Sequence, residues 1–222
     1  MPCAELDNTM VMSVLTREGF DMRSIPASDK YFLLVADREC GECMVCCHHL
    51  SINAPNLKKP ADVLCDNCMI NNGCRIYETR PNVCRTWHCL WRRTEALQPE
   101  LRPDKSGVIF SLKINYEPRY IFENAYIACM ALTNPCVFNS PAVSEAIDMF
   151  VKESSFPVWL SFQGSKSLFY PGAELANAIT TPSTTESTPL LEQGKSWLDN
   201  YNAMLEPLQN RQAMFGHEFL RI

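Results

Sequence analysis

Apolar positions fall into helical spacing in some stretches of the chain and into short strand-like runs in others. Met10, Val11, Val14 and Leu15 lie near helical spacing within residues 4–18, which predicts a modest N-terminal helix ended by Gly19. Residues 31–35 suit a short strand. From Gly107 the pattern predicts a strand over 108–115 and a partner over 120–130. The connection Tyr116-Glu-Pro-Arg119 is short enough for an antiparallel hairpin. Ser140-Pro141 opens a helix, with Ser as N-cap and Pro at the first helical position. Val143, Ala146, Ile147, Phe150 and Val151 then form a core-facing stripe. Residues 157–170 supply a further strand. Leu191, Leu198 and Leu205 recur at sevenfold spacing, joined by Tyr201 and Leu208, and predict a terminal helix with one apolar seam. Packing on the core explains that seam better than a dimer contact. Pro207 is expected to kink or end the helix.

Between residues 40 and 93 the periodicity disappears. Asn71-Asn-Gly73 and Arg80-Pro81 mark turns there. Thr180-Thr-Pro-Ser-Thr-Thr-Glu-Ser-Thr-Pro189 reads as an exposed linker. The chain therefore divides into an N-terminal helical segment (1–37), a loop-rich module (38–93), an α+β region (94–179), a linker (180–189) and a C-terminal helix (190–222). The expected class is α+β, with the module followed by a small antiparallel sheet and helices.

Composition sharpens this division. Of the 12 cysteines in 222 residues, Cys40, Cys43, Cys46, Cys47, Cys65, Cys68, Cys74, Cys84 and Cys89 crowd into the loop-rich module. Cys3, Cys129 and Cys136 lie outside it. Cys129, in an apolar strand, reads as a core residue, and Cys136, in a turn, as a free thiol. A chain of this length can bury a core without staples. The hydrophobic fraction of 46% excludes disordered and collagen-like classes. No run of 18 apolar residues predicts a membrane span. The start of the chain lacks the pattern of a secretory signal. The net charge of -5 argues against a nucleic-acid-binding surface. Residues 40–93 nevertheless carry seven Lys or Arg against four Asp or Glu. That local excess matters beside thiols, because cations favour the thiolate form that binds metal.

Three readings of the cysteine module compete. Disulfides are disfavoured by the odd number of cysteines and the absence of a secretory pattern. Zinc wants four N or S ligands, usually two from each of two short loops. Cys40-x2-Cys43 with Cys65-x2-Cys68 has that layout, and a second group could draw on Cys46 or Cys47 with Cys74, Cys84, Cys89 or His88. Iron, as a 4Fe-4S cluster, is the third. Cys40, Cys43 and Cys46 cannot share one face of a helix with 3.6 residues per turn, so a wrapping loop must present them. Such a loop holds three corners of a cubane cluster, with Cys74 or Cys84 as a remote fourth ligand.

At these residues the chain resembles a known family. Cys40-x2-Cys43-x2-Cys46-Cys47 matches a CxxCxxCC signature. Gly73-Cys74-Arg-Ile-Tyr77-Glu-x-Arg80-Pro81-x-x-Cys84-Arg85 matches a second motif. Together they resemble the YkgJ-type cysteine-cluster family, described as a zinc- or iron-chelating domain, over residues 38–93. The resemblance implies metal chelation by Cys40, Cys43, Cys46, Cys47, Cys74 and Cys84, and less directly by Cys65, Cys68 and Cys89. A flagellin lysine methylase with a related cysteine cluster implies that such a module can serve an enzyme.

Arg75, Arg80 and Arg85 are candidates for neutralising an anionic thiolate centre. The competing role is ordinary surface pairing with Glu42, Asp66 or Glu78. Tyr77 and Trp87 suit an apolar lid better than chemistry. His48 and His49 are better read as an exposed polar pair than as ligands. His88 is better placed, and His217 has no visible partner. No catalytic residue is assigned, since no Ser-His-Asp order, P-loop or dinucleotide fingerprint occurs. The leading expectation is a cytoplasmic metal-binding protein. The alternatives are a modification enzyme, with a pocket lined by 107–172 beside the cysteines, and a zinc-stabilised interaction module. Metal ion is the expected ligand, and the terminal helix is the candidate surface for a protein partner. Neither nucleic acid nor membrane is expected.

Overall fold

The computed structural model describes residues 33–115, 117–153, 155–181 and 188–215, the last seven by backbone alone. The N-terminal helix, Cys3, residues 182–187 of the linker and His217 lie outside the described residues. The start of the 31–35 strand does too, and its remainder, Leu33 to Val35, has no regular structure.

A four-stranded sheet organises the main core. Its strands are β5 (Val108–Ile114), β6 (Ala125–Ala131), β7 (Val158–Phe162) and β8 (Ser165–Tyr170), in that spatial order. β5 and β6 pair antiparallel as the sequence predicts, with Phe110 opposite Cys129 and Leu112 opposite Ile127. β6 begins five residues later than predicted, because Ile121–Glu123 forms a 3-10 turn and the connection is not a tight hairpin. The span 157–170 holds two strands rather than one. They are joined at Gln163 (φ 48) and Gly164 (φ 81), the left-handed pair that a tight hairpin turn requires.

The sheet is mixed, not antiparallel throughout. β6 and β7 run parallel, and the crossover between them contains α4 (Pro141–Glu153). A parallel neighbour needs such a crossover, and the amphipathic helix supplies it. Val143, Ala146, Ile147 and Phe150 of α4 are buried, while Val151 is half-buried.

Strand alternation gives the sheet two faces. Val108 and Phe110 join Ala125, Ile127, Cys129, Ala131 and the α4 stripe in the main core. Ile109 and Met130, paired across the strands, point the other way and pack with Val45, Leu50 and Trp87 of the cysteine module.

Two C-terminal helices, α5 (Ala173–Thr180) and α6 (Pro189–Phe215), complete the main core. The buried seam of α6 is Trp197, Tyr201, Leu205 and Leu208, with Leu198 only half-buried. Only Leu205 of the predicted leucine heptad is buried. Pro207 lies inside α6 and does not end it. One missing backbone hydrogen bond is tolerated where Leu205 and Leu208 anchor that turn in the core.

The cysteine module is built of very short elements. They are α1 (Val45–His49), the hairpin of β1 (Ile52–Ala54) and β2 (Leu57–Lys59), the hairpin of β3 (Cys68–Met69) and β4 (Gly73–Cys74), and α2 (Asn82–Thr86). α3 (Pro103–Ser106) and 3-10 turns at Leu90–Arg92 and Pro99–Leu101 lead into β5. Leu90, Leu97 and Leu101 of this exit segment are buried in the main core. Arg38 closes the neck of the module. Its guanidinium donates to the carbonyls of Trp91 (2.6 Å), Thr94 (2.9 Å), Glu95 (3.0 Å) and Leu97 (2.6 Å). The Val35 amide adds a hydrogen bond to the Arg92 carbonyl at 2.9 Å.

Candidate metal centre

All nine cysteines of the module are free thiols. The first pair is set by a tight turn, with Gly41 at φ 51 and the Cys43 amide donating to the Cys40 carbonyl at 2.9 Å. Cys46 and Cys47 follow on α1, so a loop and a helix share the CxxCxxCC segment. The second pair is also a turn, in which the Cys68 amide donates to the Cys65 carbonyl at 2.8 Å. The Cys65 amide reaches back to the Cys47 carbonyl at 3.0 Å, and Cys68 is paired across the β3–β4 hairpin with Cys74. Cys84 lies on α2, and Cys89 precedes the 3-10 turn that enters the core.

Two clefts open among these side chains. One, of about 640 Å³ and open to solvent, is lined by Cys46, Cys47, Cys65, Cys74 and Cys84, with Arg80 and the apolar Leu50, Ile52 and Trp87. The other, of about 450 Å³, is lined by Cys40, Cys43, Cys46, Cys84 and Cys89, with Arg80 and His88. The two CxxC pairs therefore do not share a cleft. The β3–β4 hairpin holds Cys65-Asp-Asn-Cys68 against Cys47 and Cys74 instead.

The thiols are electrostatically uneven. Cys47 sits between two sulfur donors: a hydrogen bond with Cys46 foremost, then one with Cys68, bring its thiol down to about 6. The same bond, with burial, pushes Cys46 well up. Burial is the first cause that raises Cys43, Cys84 and Cys89 to about 11 and Cys68 to about 12. Cys47 is thus held low while its hydrogen-bonded neighbours Cys46 and Cys68 are held high. Cys43 is hydrogen-bonded to Asp104, which also pairs with Arg102.

Of the predicted arginines, only Arg80 reaches the clefts. Its guanidinium stacks 3.7 Å from the Tyr77 ring centroid and donates to the Cys84 carbonyl at 3.1 Å. Arg75 donates to the Asp66 backbone carbonyl rather than to a carboxylate, and Arg75 and Arg85 are both exposed. Trp87 lines both clefts as a lid would, whereas Tyr77 lies behind Arg80. His49 pairs with Asp62 at 2.9 Å. His88 is held down to about 4, first by burial and then by Arg93 and Arg92, so its imidazole is neutral at physiological pH.

Two buried cations have no distinctive sequence signature. Lys59 is 7% exposed, and its ammonium donates to the carbonyls of His48, Leu50 and Pro60. The thiols whose charges act on it are Cys65, Cys47 and Cys46. Arg92 is 8% exposed, and its Nε and Nη1 have no hydrogen-bond partner among the described residues. It acts on Cys89. The Arg-Arg pair following Cys89 was the only hint of it in the chain.

Cys129 is fully buried in β6, as expected of a core residue. Cys136 is disulfide-bonded rather than free. The turn around Asn134 and Pro135 gives no local sign of pairing, which depends on another part of the chain. The expected enzyme pocket lined by 107–172 does not match the two clefts: they are lined from 46–87 and 40–109, because the module covers the Ile109–Met130 face of the sheet.

The donor set fits a borderline-soft metal: thiols, one neutral imidazole, and cations placed to balance thiolate charge. Among the described residues, however, no group of three or more His, Cys, Asp or Glu side chains converges in metal-ligand geometry. Among the described residues no helix is long and apolar enough to cross a membrane. No family model, no curated protein and no solved structure matches this chain.

Proposed function

We propose that the protein is a metal-binding cysteine-cluster protein that takes zinc or iron, the iron alone or as an iron–sulfur cluster, in thiolate coordination. One observation carries the reading. Nine free thiols from separate short elements gather beside buried cations, one of which has nitrogens with no hydrogen-bond partner among the described residues. Buried guanidinium nitrogens without a partner are costly, and an anionic metal–thiolate group beside Cys89 would offset that cost. The paired motifs at residues 40–47 and 73–85, which resemble the YkgJ-type family, support the same reading. Free thiols suit a reducing compartment such as the cytoplasm, while the disulfide at Cys136 argues the other way.

Bound metal would supply folding energy to a module whose helices and strands are only two to five residues long. The test is metal analysis, acid-labile sulfide and the visible spectrum of protein purified without oxygen. Stoichiometric zinc or iron is expected, with colour and sulfide selecting the cluster. Absence of both metals overturns the reading.

A second reading is favoured by the larger cleft, where Leu50, Ile52, Leu57, Ile76 and Val83 offer apolar surface beside the thiols. That is the setting of a catalytic metal with an open position. A centre whose ligand positions are all filled by protein sulfur in the metal-loaded state would remove it.

A further inference from the structure

The nine thiols fall into two groups by the turns and clefts that bring them together. Cys40, Cys43, Cys46 and Cys89 line the smaller cleft, which Cys84 also borders. Cys47, Cys65 and Cys74 line the larger cleft, which Cys46 and Cys84 also border. The Cys65 amide donates to the Cys47 carbonyl, and Cys68 closes the Cys65 turn and pairs with Cys74 across the β3–β4 hairpin. The direct bond between the groups is the Cys46–Cys47 hydrogen bond.

The backbone explains the division. Adjacent residues on a helix point about 100° apart, so α1 turns Cys46 toward the Cys40-x2-Cys43 loop and Cys47 toward the β3–β4 hairpin. Each group is completed from a distant segment: Cys89 joins the first, and Cys65, Cys68 and Cys74 join the second.

From this arrangement we infer that the module holds two separate metal sites, one on Cys40, Cys43, Cys46 and Cys89, the other on Cys47, Cys65, Cys68 and Cys74, with Cys84 at the border of both clefts. The inference rests on the metal-binding reading above and extends it to the allocation of ligands. Three of the four cations divide in the same way. A divalent ion on four thiolates carries two excess negative charges. Arg92 and Arg93 both interact with Cys89 in the first group. Lys59 acts on Cys47 and Cys65 in the second, while Arg80 borders both clefts. Each site thus has at least one cation of its own to offset thiolate charge. Vicinal cysteines, which a single four-ligand site uses poorly, become the seam between two sites.

The test is a Co²⁺ titration of the reduced, metal-free full chain without oxygen, followed by thiolate-to-cobalt charge-transfer absorption. The wild type is expected to take two Co²⁺. Cys40→Ser and Cys89→Ser should each take one, Cys65→Ser and Cys68→Ser should each take one, and Cys40→Ser combined with Cys68→Ser none. Because a lost ligand can unfold the module, Arg92→Met and Lys59→Met keep all nine thiols. Each should weaken one of the two Co²⁺ ions about tenfold and leave the other unchanged. A single Co²⁺ abolished equally by Cys89→Ser and Cys68→Ser overturns the two-site allocation while leaving metal binding intact. No Co²⁺ uptake by the wild type overturns metal binding itself, and the allocation with it.

Discussion

Gly73 shows how one residue can hold two distant motifs together. It has φ 72, and a Cβ built there would stand 2.8 Å from the Gly41 carbonyl oxygen. Both partners in that contact are backbone, so neither can move aside as a flexible side chain would. The close approach brings the second motif, which begins at Gly73-Cys74, onto the turn that carries Cys40 and Cys43. Gly73→Ala pays the left-handed penalty of about 1–2 kcal/mol and must also separate the two turns. Gly164 provides the comparison: it has φ 81, but nothing lies within 4 Å of its Cβ position. Urea denaturation should therefore find Gly73→Ala the more destabilising of the two, with a loss of about 2–4 kcal/mol, and metal content should fall in that variant alone. Equal losses in both would show that the contact with Gly41 contributes nothing. The glycine was legible as part of a motif; its contact with a residue 32 positions earlier was not.

At the scale of elements, α6 illustrates what periodicity can and cannot fix. Its existence and its inward seam are readable from spacing, but Trp197 and Tyr201 form the buried face more than the leucine heptad does. Trp197 stacks on Tyr201 at 4.9 Å and meets Phe122 edge-on at 5.6 Å. The Tyr201 hydroxyl accepts from the Ala125 amide at 2.9 Å and directs its proton at the Ala125 carbonyl, 2.8 Å away. It thus fastens α6 to the first residue of β6, where the strand emerges from a 3-10 turn. Tyr201→Phe keeps the ring and leaves buried backbone groups unpaired, a cost of about 1–3 kcal/mol. Thermal unfolding should register that loss without change in metal content, since the hydroxyl belongs to the main core. A metal loss in Tyr201→Phe would mean that α6 docking and the cysteine module are one cooperative unit. The βαβ crossover through α4 was missed for a related reason: β6, α4 and strand character in 157–170 were visible locally, but parallel pairing is decided by which edge of β6 remains open.

Over the whole molecule, the cysteine module is a long loop closed at its neck and laid against one face of the sheet. Arg38 makes that closure with four carbonyl contacts and lies 5.2 Å from the Trp91 ring centroid. Charged donors to carbonyls are stronger than neutral ones, so Arg38→Met should lower stability by about 2–4 kcal/mol. Amide hydrogen exchange should show the loss concentrated in residues 35–38 and 90–97, with β5 to β7 still protected. Uniform loss of protection across the sheet would show that the neck is not a local device.

Sequence alone determined the α+β class, the location of the thiols and the elements with strong periodicity, namely α4, β5 and the core-facing α6. These follow from local rules, since burying an apolar stripe or alternating a strand requires only near neighbours. Tertiary structure decided the mixed sheet, the two clefts, and the company each cysteine keeps. Spacing allowed the two CxxC pairs to form one group, among other allocations; in the fold Cys40 and Cys43 line one cleft and Cys65 the other. The same holds for Lys59, Arg92 and Arg38, whose roles arise from burial and from carbonyls or thiols far along the chain. Such contacts depend on where the backbone returns, and no residue pattern in this chain records that.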